Sequence, residues 1–454
     1  MTNNGAASAD AATLARDPII LDDLLENGQG VGRIGGLVTF VTGGLPGERV
    51  RIRVDAVKRT YATAHAVAVE TPSPDRVEPG CPVFPACGGC QTLHLRYEAE
   101  LTWKRRLVRD ALERLGGSAN PEVDEVEPGI RDGAGYRNKV TLVCAGSHAH
   151  PRLGFYAARS HRLVPIDGCP VLVPRLNEAV ERLVKFAANA REAMRGAERI
   201  VVRASTTGPE LVACFIGRKP NDALRGALTE LRREIPQLTG VLMSWEPVSE
   251  NVVFGKRFAT LWGDPAIRER VGGAQFTFGI ASFFQINTPV LERIAQRIVE
   301  GLAGSTRVVD LYCGVGTFGV LLGRGHVAST GVEVHRGAVD EAAANAAANG
   351  VTNAAFEAAT ASSAVAGTRG KSLLTGADAV IVDPPRKGCE REVLDALAEA
   401  LVPRIVYLSC NPATLARDAG LLRAAGYALG RVSPFDMFPH TGHVEVLAEF
   451  ARTR

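Results

Sequence analysis

The spacing of apolar positions changes character twice along the chain. From 17 to 75 the apolar residues alternate with polar ones: VRIRV (Val50–Val54) repeats with period two, and so does much of YATAHAVAV (Tyr61–Val69). The turns ENGQG, RIGG and TGGLPGE separate these runs. Short alternating strands joined by glycine turns predict a small closed OB-like β-barrel, an architecture often used for oligonucleotides. Pro72, Pro74 and Pro79 mark a linker. From 76 to 268, LRYEAELTWKRRLVRDALERLGG, NEAVERLVKFAANAREAM and NDALRGALTELRREI have helical spacing, interspersed with β-like runs such as RIVVRAS and ELVACFIG. This pattern predicts a central α/β domain. From 269 to 454 strands and helices alternate: RVVDLYC, HVASTGVEV, ADAVIVDPP and RIVYLSC are apolar runs separated by helical segments. That alternation predicts a Rossmann-like, doubly wound parallel sheet, making the whole a multidomain α/β protein.

A length of 454 residues exceeds one ordinary core, and 46% hydrophobic with 22% charged residues is the balance of a globular protein. No run reaches the about 18 apolar residues needed to cross a bilayer, so no membrane partner is expected. The opening MTNNGAASADAATLARD lacks the basic-then-apolar pattern of a secretory signal. A cytoplasmic location and a disordered segment over 1–16 are expected. The net charge of +3 does not by itself demand nucleic acid. Basic residues do cluster in WKRR (Trp103–Arg106), YRNK (Tyr136–Lys139) and RSHR (Arg159–Arg162), which taken alone read as solvated faces. Nine cysteines in such a context point to metal binding or catalysis rather than disulfides.

Cys81, Cys87 and Cys90 form C-x5-C-x2-C in CPVFPACGGC, beside prolines and a glycine pair, where thiols make poor core material. Cys169 in IDGCP is the best fourth ligand. Cys144 and Cys214 lie in apolar runs and read as core. Four thiolates suit either zinc or an iron–sulfur cluster, and spacing does not separate the two.

LYCGVGTFG sets Gly314, Gly316 and Gly319 as G-x-G-x-x-G directly after a strand, and Glu333 ends the next strand where a ribose-binding carboxylate belongs. The pattern fits a dinucleotide and S-adenosylmethionine (SAM) equally. Methyltransferases acting on exocyclic amines often carry an aromatic residue after Asp-Pro-Pro; DPPRKG (Asp383–Gly388) has Arg386 there, which argues against an amine target. One strand later YLSCNPATLARD carries Cys410. A lone cysteine is ordinarily a small buried hydrophobe. At the carboxyl edge of a doubly wound sheet, where such folds bind ligands, it reads as a nucleophile.

With these motifs in order, the chain resembles the RNA uracil-C5 methyltransferase family, which forms 5-methyluridine in tRNA and 23S ribosomal RNA. SFFQIN (Ser282–Asn287), DLYCGVG, GVEV, DPPRKG, SCNP and FPHTGHVEVL carry the resemblance across nearly the whole chain. It implies a TRAM barrel binding RNA, and a [4Fe-4S] cluster on Cys81, Cys87, Cys90 and Cys169 that shapes an RNA-binding surface. It implies SAM held by Gln285, Tyr312, Gly314, Gly316, Glu333 and Asp383, with Cys410 as nucleophile and Glu445 as base. Arg386 is placed to steady charge on a uracil carbonyl. The barrel, the cysteine region and YRNK would share the task of holding RNA phosphates. His440 and His443 read as fold or RNA contacts. Cys313 reads as packing, and Cys389 as a decoy for the nucleophile. Thr317 stands where relatives often have asparagine, and EAATASSAVAG lacks the polar residue expected near adenine. The barrel-plus-cluster layout favours 23S ribosomal RNA, with tRNA as the alternative, and a monomer is expected. A radical-SAM methylthiotransferase would need C-x3-C-x2-C, which is absent. A nicotinamide oxidoreductase would leave SCNP unexplained, and a non-catalytic RNA-binding protein would be expected to lack the nucleophile or the base.

Overall fold

The structure, a computed structural model, describes residues 17–130, 133–147, 149–247 and 252–453. The segment 1–16, expected to be disordered, lies outside the described residues. β1 (Ile19–Leu24), β2 (Gln29–Ile34), β3 (Leu37–Thr42), β4 (Arg49–Val57) and β5 (Tyr61–Thr71) close into a barrel in the order β1-β2-β3-β5-β4. Leu21, Val41, Val50, Ile52 and Ala64 fill it, as period-two strands require. Glycines set its tightness: a Cβ on Gly44 would stand 2.3 Å from a methyl of Leu21.

The central sheet contains β6 (Lys139–Ser147), β7 (His150–Tyr156), β8 (Leu163–Pro165), β9 (Ala197–Ala204), β10 (Leu211–Gly217), β11 (Gly240–Pro247) and β12 (Gly255–Gly263), in the order β12-β11-β10-β9-β6-β7-β8. The helix Pro174–Asn189 covers one face with Leu176, Val180, Leu183 and Phe186. The other face, with Val201, Val212, Cys214 and Ile216, packs into the core of the C-terminal half. The stretch NDALRGALTELRREI forms two short helices, Asp222–Gly226 and Leu228–Glu234, because Ala227 leaves helical geometry with ψ at 4°.

A hairpin, β13 (Ile267–Val271) and β14 (Ala274–Phe278), leads into the last sheet. Its strands are β15 (Arg307–Leu311), β16 (Ala328–Glu333), β17 (Ala354–Ala358), β18 (Ala379–Val382), β19 (Arg404–Ser409), β20 (Tyr427–Phe435) and β21 (Glu445–Arg452), ordered β17-β16-β15-β18-β19-β21-β20. The first five run parallel, as the alternating pattern predicts, and β21 and β20 add antiparallel.

The sequence-based boundary at 269 does not separate two cores. The helix Tyr97–Arg114, expected to belong to the central domain, buries Val108 and Leu112 among Leu415, Ala416 and Ala419 of the helix Pro412–Ala424. Its apolar stripe needs a partner, and both faces of the central sheet are already covered. Beyond it, Val123 and Glu127 bridge to Val432 and Phe435 at the edge of β20. Trp103 donates its indole N–H to the Leu24 carbonyl at 3.0 Å, fixing the barrel to the same helix. No helix among the described residues is long and apolar enough to cross a membrane.

A wholly buried ionic group joins this helix to the segment before β21. Lys104 Nζ lies 2.6 Å from Asp436 Oδ1 and 2.8 Å from Glu100 Oε1, and also donates to the Phe438 carbonyl at 3.1 Å. Tyr97 donates its hydroxyl to Asp436 Oδ2 at 2.7 Å, and the His440 N–H donates to Glu100 Oε1 at 2.8 Å. Removing the cation leaves two buried carboxylates facing each other. Lys104→Met should therefore cost about 3 kcal/mol or more in urea unfolding at neutral pH. Adding Glu100→Gln and Asp436→Asn should recover much of that loss.

Candidate active site

The site forms where parallel strands end together. After β15 the chain turns sharply through Tyr312 (φ 69°), Gly314 (φ 54°) and Gly316 (φ 81°) into the helix Thr317–Arg324. A Cβ on Gly316 would meet Ala342 at 2.9 Å and the Phe356 ring at 3.0 Å, so only glycine brings the loop this close to its neighbours. A Cβ on Gly314 would meet nothing within 4 Å, which leaves its backbone open to an approaching ligand. Glu333, at the end of β16, accepts from Gly314 N–H at 3.2 Å and from His335 N–H at 2.9 Å. The carboxylate is thus fixed at the loop. Tyr312 donates its hydroxyl to Glu390 at 2.5 Å.

β18 delivers Asp383, β19 delivers Cys410 and β21 begins at Glu445. Ser409 pairs with Val446 across β19 and β21, so the next step of the register sets Cys410 opposite Glu445. Burial is the main cause of the perturbed acidities here. It pushes the Asp383 carboxyl up to about 7. Glu445 is raised well above the ordinary carboxyl range by burial and then by the nearby Asp383, while Arg386 opposes the rise. The Cys410 thiol is pushed up to about 11 by burial, then by Glu445 and Asp383, and Arg386 again pulls the other way. Nucleophile and two carboxyls therefore lie close together, with the exposed cation of Arg386 near enough to act on them.

The surrounding chain holds them. Asn411 caps the helix Pro412–Ala424 by accepting from Ala413 N–H at 3.0 Å, so the strand stops and the helix starts directly after Cys410. The turn after Asp383 is pinned from the same strand–helix unit: Asp418 accepts from Cys389 N–H at 2.9 Å and from the Tyr407 hydroxyl at 2.6 Å. Cys389 is thereby a buried packing residue, as is Cys313. Cys214 is buried, and Cys144 packs against the central core. Arg386 Nη2 stands 3.1 Å from His443 Nε2, and the His440 carbonyl accepts from Gln91 N–H at 2.9 Å and Thr92 N–H at 3.2 Å. Both histidines therefore make structural contacts. Thr360, in the stretch without an adenine-contacting candidate, caps a short helix through Ser363 N–H at 3.1 Å.

Gln285 sits in the loop before the helix Thr288–Gly301, and its backbone is held by the central domain. Asn138 N–H donates to the Ile286 carbonyl at 2.9 Å, and the Asn138 amide donates to Thr288 Oγ1 at 3.2 Å. Arg203, on β9, is fully buried and donates to the Phe284 carbonyl at 2.9 Å, with its guanidinium 4.7 Å from the centre of the Phe278 ring. YRNK, expected to share in holding RNA phosphates, turns partly inward, with Arg137 half-buried. Tyr136 and Asn138 are buried, Lys139 Nζ reaches the Ile280 carbonyl at 3.4 Å, and the segment braces the Gln285 loop from inside. Arg203 escaped the sequence reading, although a charge inside RIVVRAS, an otherwise buried run, was its signal.

Cys81, Cys87, Cys90 and Cys169 line one cavity of about 180 Å³, together with Tyr136 and Phe155. Their proximity shows in the Cys90 thiol, raised by burial and then by Cys169, Cys87 and Cys81. No three His, Cys, Asp or Glu side chains among the described residues gather closely enough to hold a single metal ion.

The Asp383 shift predicts a pH signature. In the folded chain this carboxyl holds its proton to about 7, against an ordinary value of 3.8, so its burial lowers stability as pH rises through that window. Asp383→Asn should leave the melting temperature unchanged near pH 4 and raise it near pH 8, measured by calorimetry.

Residues 176–450 match the model of the tRNA (uracil-5-)-methyltransferase family, and residues 18–67 match the TRAM domain. An uncharacterized RNA methyltransferase of Clostridium tetani is 35% identical over 430 residues, spanning 92% of this chain and 93% of that relative. Another, of Thermosynechococcus vestitus, is 37% identical over 437 residues, spanning 94% and 96%. Among solved structures, the Pyrococcus abyssi tRNA (uracil-54, C5)-methyltransferase in complex with S-adenosyl-L-homocysteine superposes with a TM-score of 0.74 at 28% identity, covering 96% of this chain and 100% of that one. A barrel, a glycine loop and a cysteine–carboxyl rim thus occur in a chain that belongs to the tRNA (uracil-5-)-methyltransferase family.

Proposed function

We propose that this protein transfers a methyl group from SAM to carbon 5 of a uridine in RNA, with Cys410 as nucleophile and Glu445 as base. The supporting observation is their opposition across β19 and β21, beside Asp383 and Arg386. Carbon 5 of uracil is too weak a nucleophile to be methylated unaided. Addition of the Cys410 thiolate at carbon 6 gives carbon 5 enolate character, splitting a difficult step into easier ones. Arg386 favours the thiolate and is placed to steady the negative charge on the uracil carbonyl. When bound, SAM supplies an electrophilic methyl carried on a sulfonium, which leaves as neutral S-adenosylhomocysteine. Glu445, as carboxylate, then takes the carbon 5 proton, and the carbon 6–sulfur bond breaks with its electron pair returning to Cys410. One proton is released per methyl transferred. Gly314, Gly316, Glu333, Tyr312 and Asp383 lie at the carboxyl edge of the sheet and, with Gln285 from the loop before the helix Thr288–Gly301, are the residues we assign to the cofactor. A uridine inside folded RNA must be unstacked to reach Cys410.

The four cysteines suit a [4Fe-4S] cluster. A single zinc draws its sulfurs to about 2.3 Å from one point, whereas these ring a cavity. We assign it a structural part, with no redox step in methyl transfer.

The preference for 23S ribosomal RNA rests on the barrel-plus-cysteine layout. A tRNA reading stands beside it, because the archaeal tRNA enzyme superposes over 96% of this chain.

Cys410→Ala should abolish turnover and the covalent RNA adduct, while Glu445→Gln should accumulate that adduct on denaturing gels; an active Cys410→Ala protein would end the nucleophile assignment. Mapping 5-methyluridine in 23S RNA and tRNA from a strain lacking the gene identifies the substrate, and loss confined to tRNA would sink the ribosomal reading. Anaerobically purified protein should contain iron and acid-labile sulfide in equal amounts. Zinc without sulfide would overturn the cluster.

A further inference from the structure

Between the barrel and the cysteine loop lies a second cavity, of about 300 Å³, separate from the carboxyl edge of the sheet. Asn27, Gln29 and Thr63 of the barrel face Gln91 across it, and Arg159 and Arg162 of the RSHR cluster stand at its rim, both exposed. Its one acidic lining residue, Asp55, is engaged by His65 at 2.5 Å. The lining is therefore rich in amide and hydroxyl groups, with positive charge left over at the mouth.

His94 lines this cavity as well. It is 1% exposed, and neither ring nitrogen has a hydrogen-bond partner among the described residues. A buried imidazole offers one donor and one acceptor in either tautomer, and leaving both unmade is costly. The ring is held in place by Phe84, with centroids 5.1 Å apart. Such a side chain is poor core material, and it lies at the wall of the cavity with both nitrogens covered but unpartnered.

The cavity adjoins the reaction site through one residue. His443 stands 3.1 Å from Arg386 on one side and 3.7 Å from Glu26 on the other, and Asn27 follows Glu26 directly. This chain of contacts links the groove's edge at Asn27 to Arg386 of the candidate site.

We propose that the groove receives one unstacked nucleotide of the substrate RNA other than the target uridine, with His94 contacting the base edge and Arg159 and Arg162 the phosphates. This rests on the RNA-methylating reading above. The volume accommodates a single nucleotide-sized ligand at the small end of ligand pockets. Aromatic and hydrogen-bonding contacts to splayed bases are the usual means of reading single-stranded RNA. The groove would thus help choose the site of methylation without touching the reacting atoms.

The test uses the full-length protein and its mapped RNA, with abasic nucleotides placed one at a time around the target uridine. Wild type should lose affinity about tenfold at one flanking position. His94→Phe, which keeps the ring and removes both nitrogens, should show a similar loss on intact RNA, raise KM more than it lowers kcat, and lose nothing further at that abasic position. Arg159→Ala with Arg162→Ala, both at exposed positions, should weaken binding to all these RNAs alike and reduce the slope of log affinity against log salt by about 2. If no flanking position is sensitive, or if folded His94→Phe remains as sensitive there as wild type, the groove reading falls while 5-methyluridine formation stands. If no RNA gains 5-methyluridine with wild type, the functional reading falls first. A His94→Phe chain that fails to fold leaves the abasic scan and the arginine pair to decide.

Discussion

Lys104 holds the molecule's two ends together. Its ammonium sits between Glu100, one turn earlier on its own helix, and Asp436, just before the segment leading to Glu445. None of the three side chains reaches solvent, so the pair attraction acts in low dielectric and each partner depends on the others to remain charged. Tyr97 and His440 complete the set. Through it, a helix that is also fixed to the barrel by Trp103 sets the height of the last loop before the candidate base. The candidate site therefore depends on the whole chain, although the residues proposed to react all border the last sheet.

Much of this organisation is visible in the sequence. Period-two strands and glycine turns announce the barrel, and apolar strands between helices announce the parallel sheet. The rim residues follow from strand order, because Gly314, Glu333, Asp383 and Cys410 each end a strand on the same edge. Even Cys410 against Glu445 could be anticipated once β21 was seen to return beside β19.

What the sequence hides is which surface covers which. WKRR looks like a solvated basic run, yet its Lys104 is buried, because partners 4 and 332 residues away neutralise it. YRNK looks like a phosphate grip, yet its asparagine braces the Gln285 loop. Helical period reveals an apolar stripe on Tyr97–Arg114 but not that a helix some three hundred residues later fills it. Local pattern fixes faces, and long-range pairing decides their partners.

The hydrogen bonds from Gln91 and Thr92 to His440 also have a consequence in time. They join the cysteine loop to a segment made roughly 350 residues later. At typical synthesis rates that interval is on the order of tens of seconds. During it, Cys81, Cys87 and Cys90 have emerged while the loop that will clasp them is still unwritten. A newborn chain therefore passes through a stage in which these three thiols lack the enclosure they have once folded. The order of manufacture, as much as the finished architecture, sets how long these thiols wait for their cover.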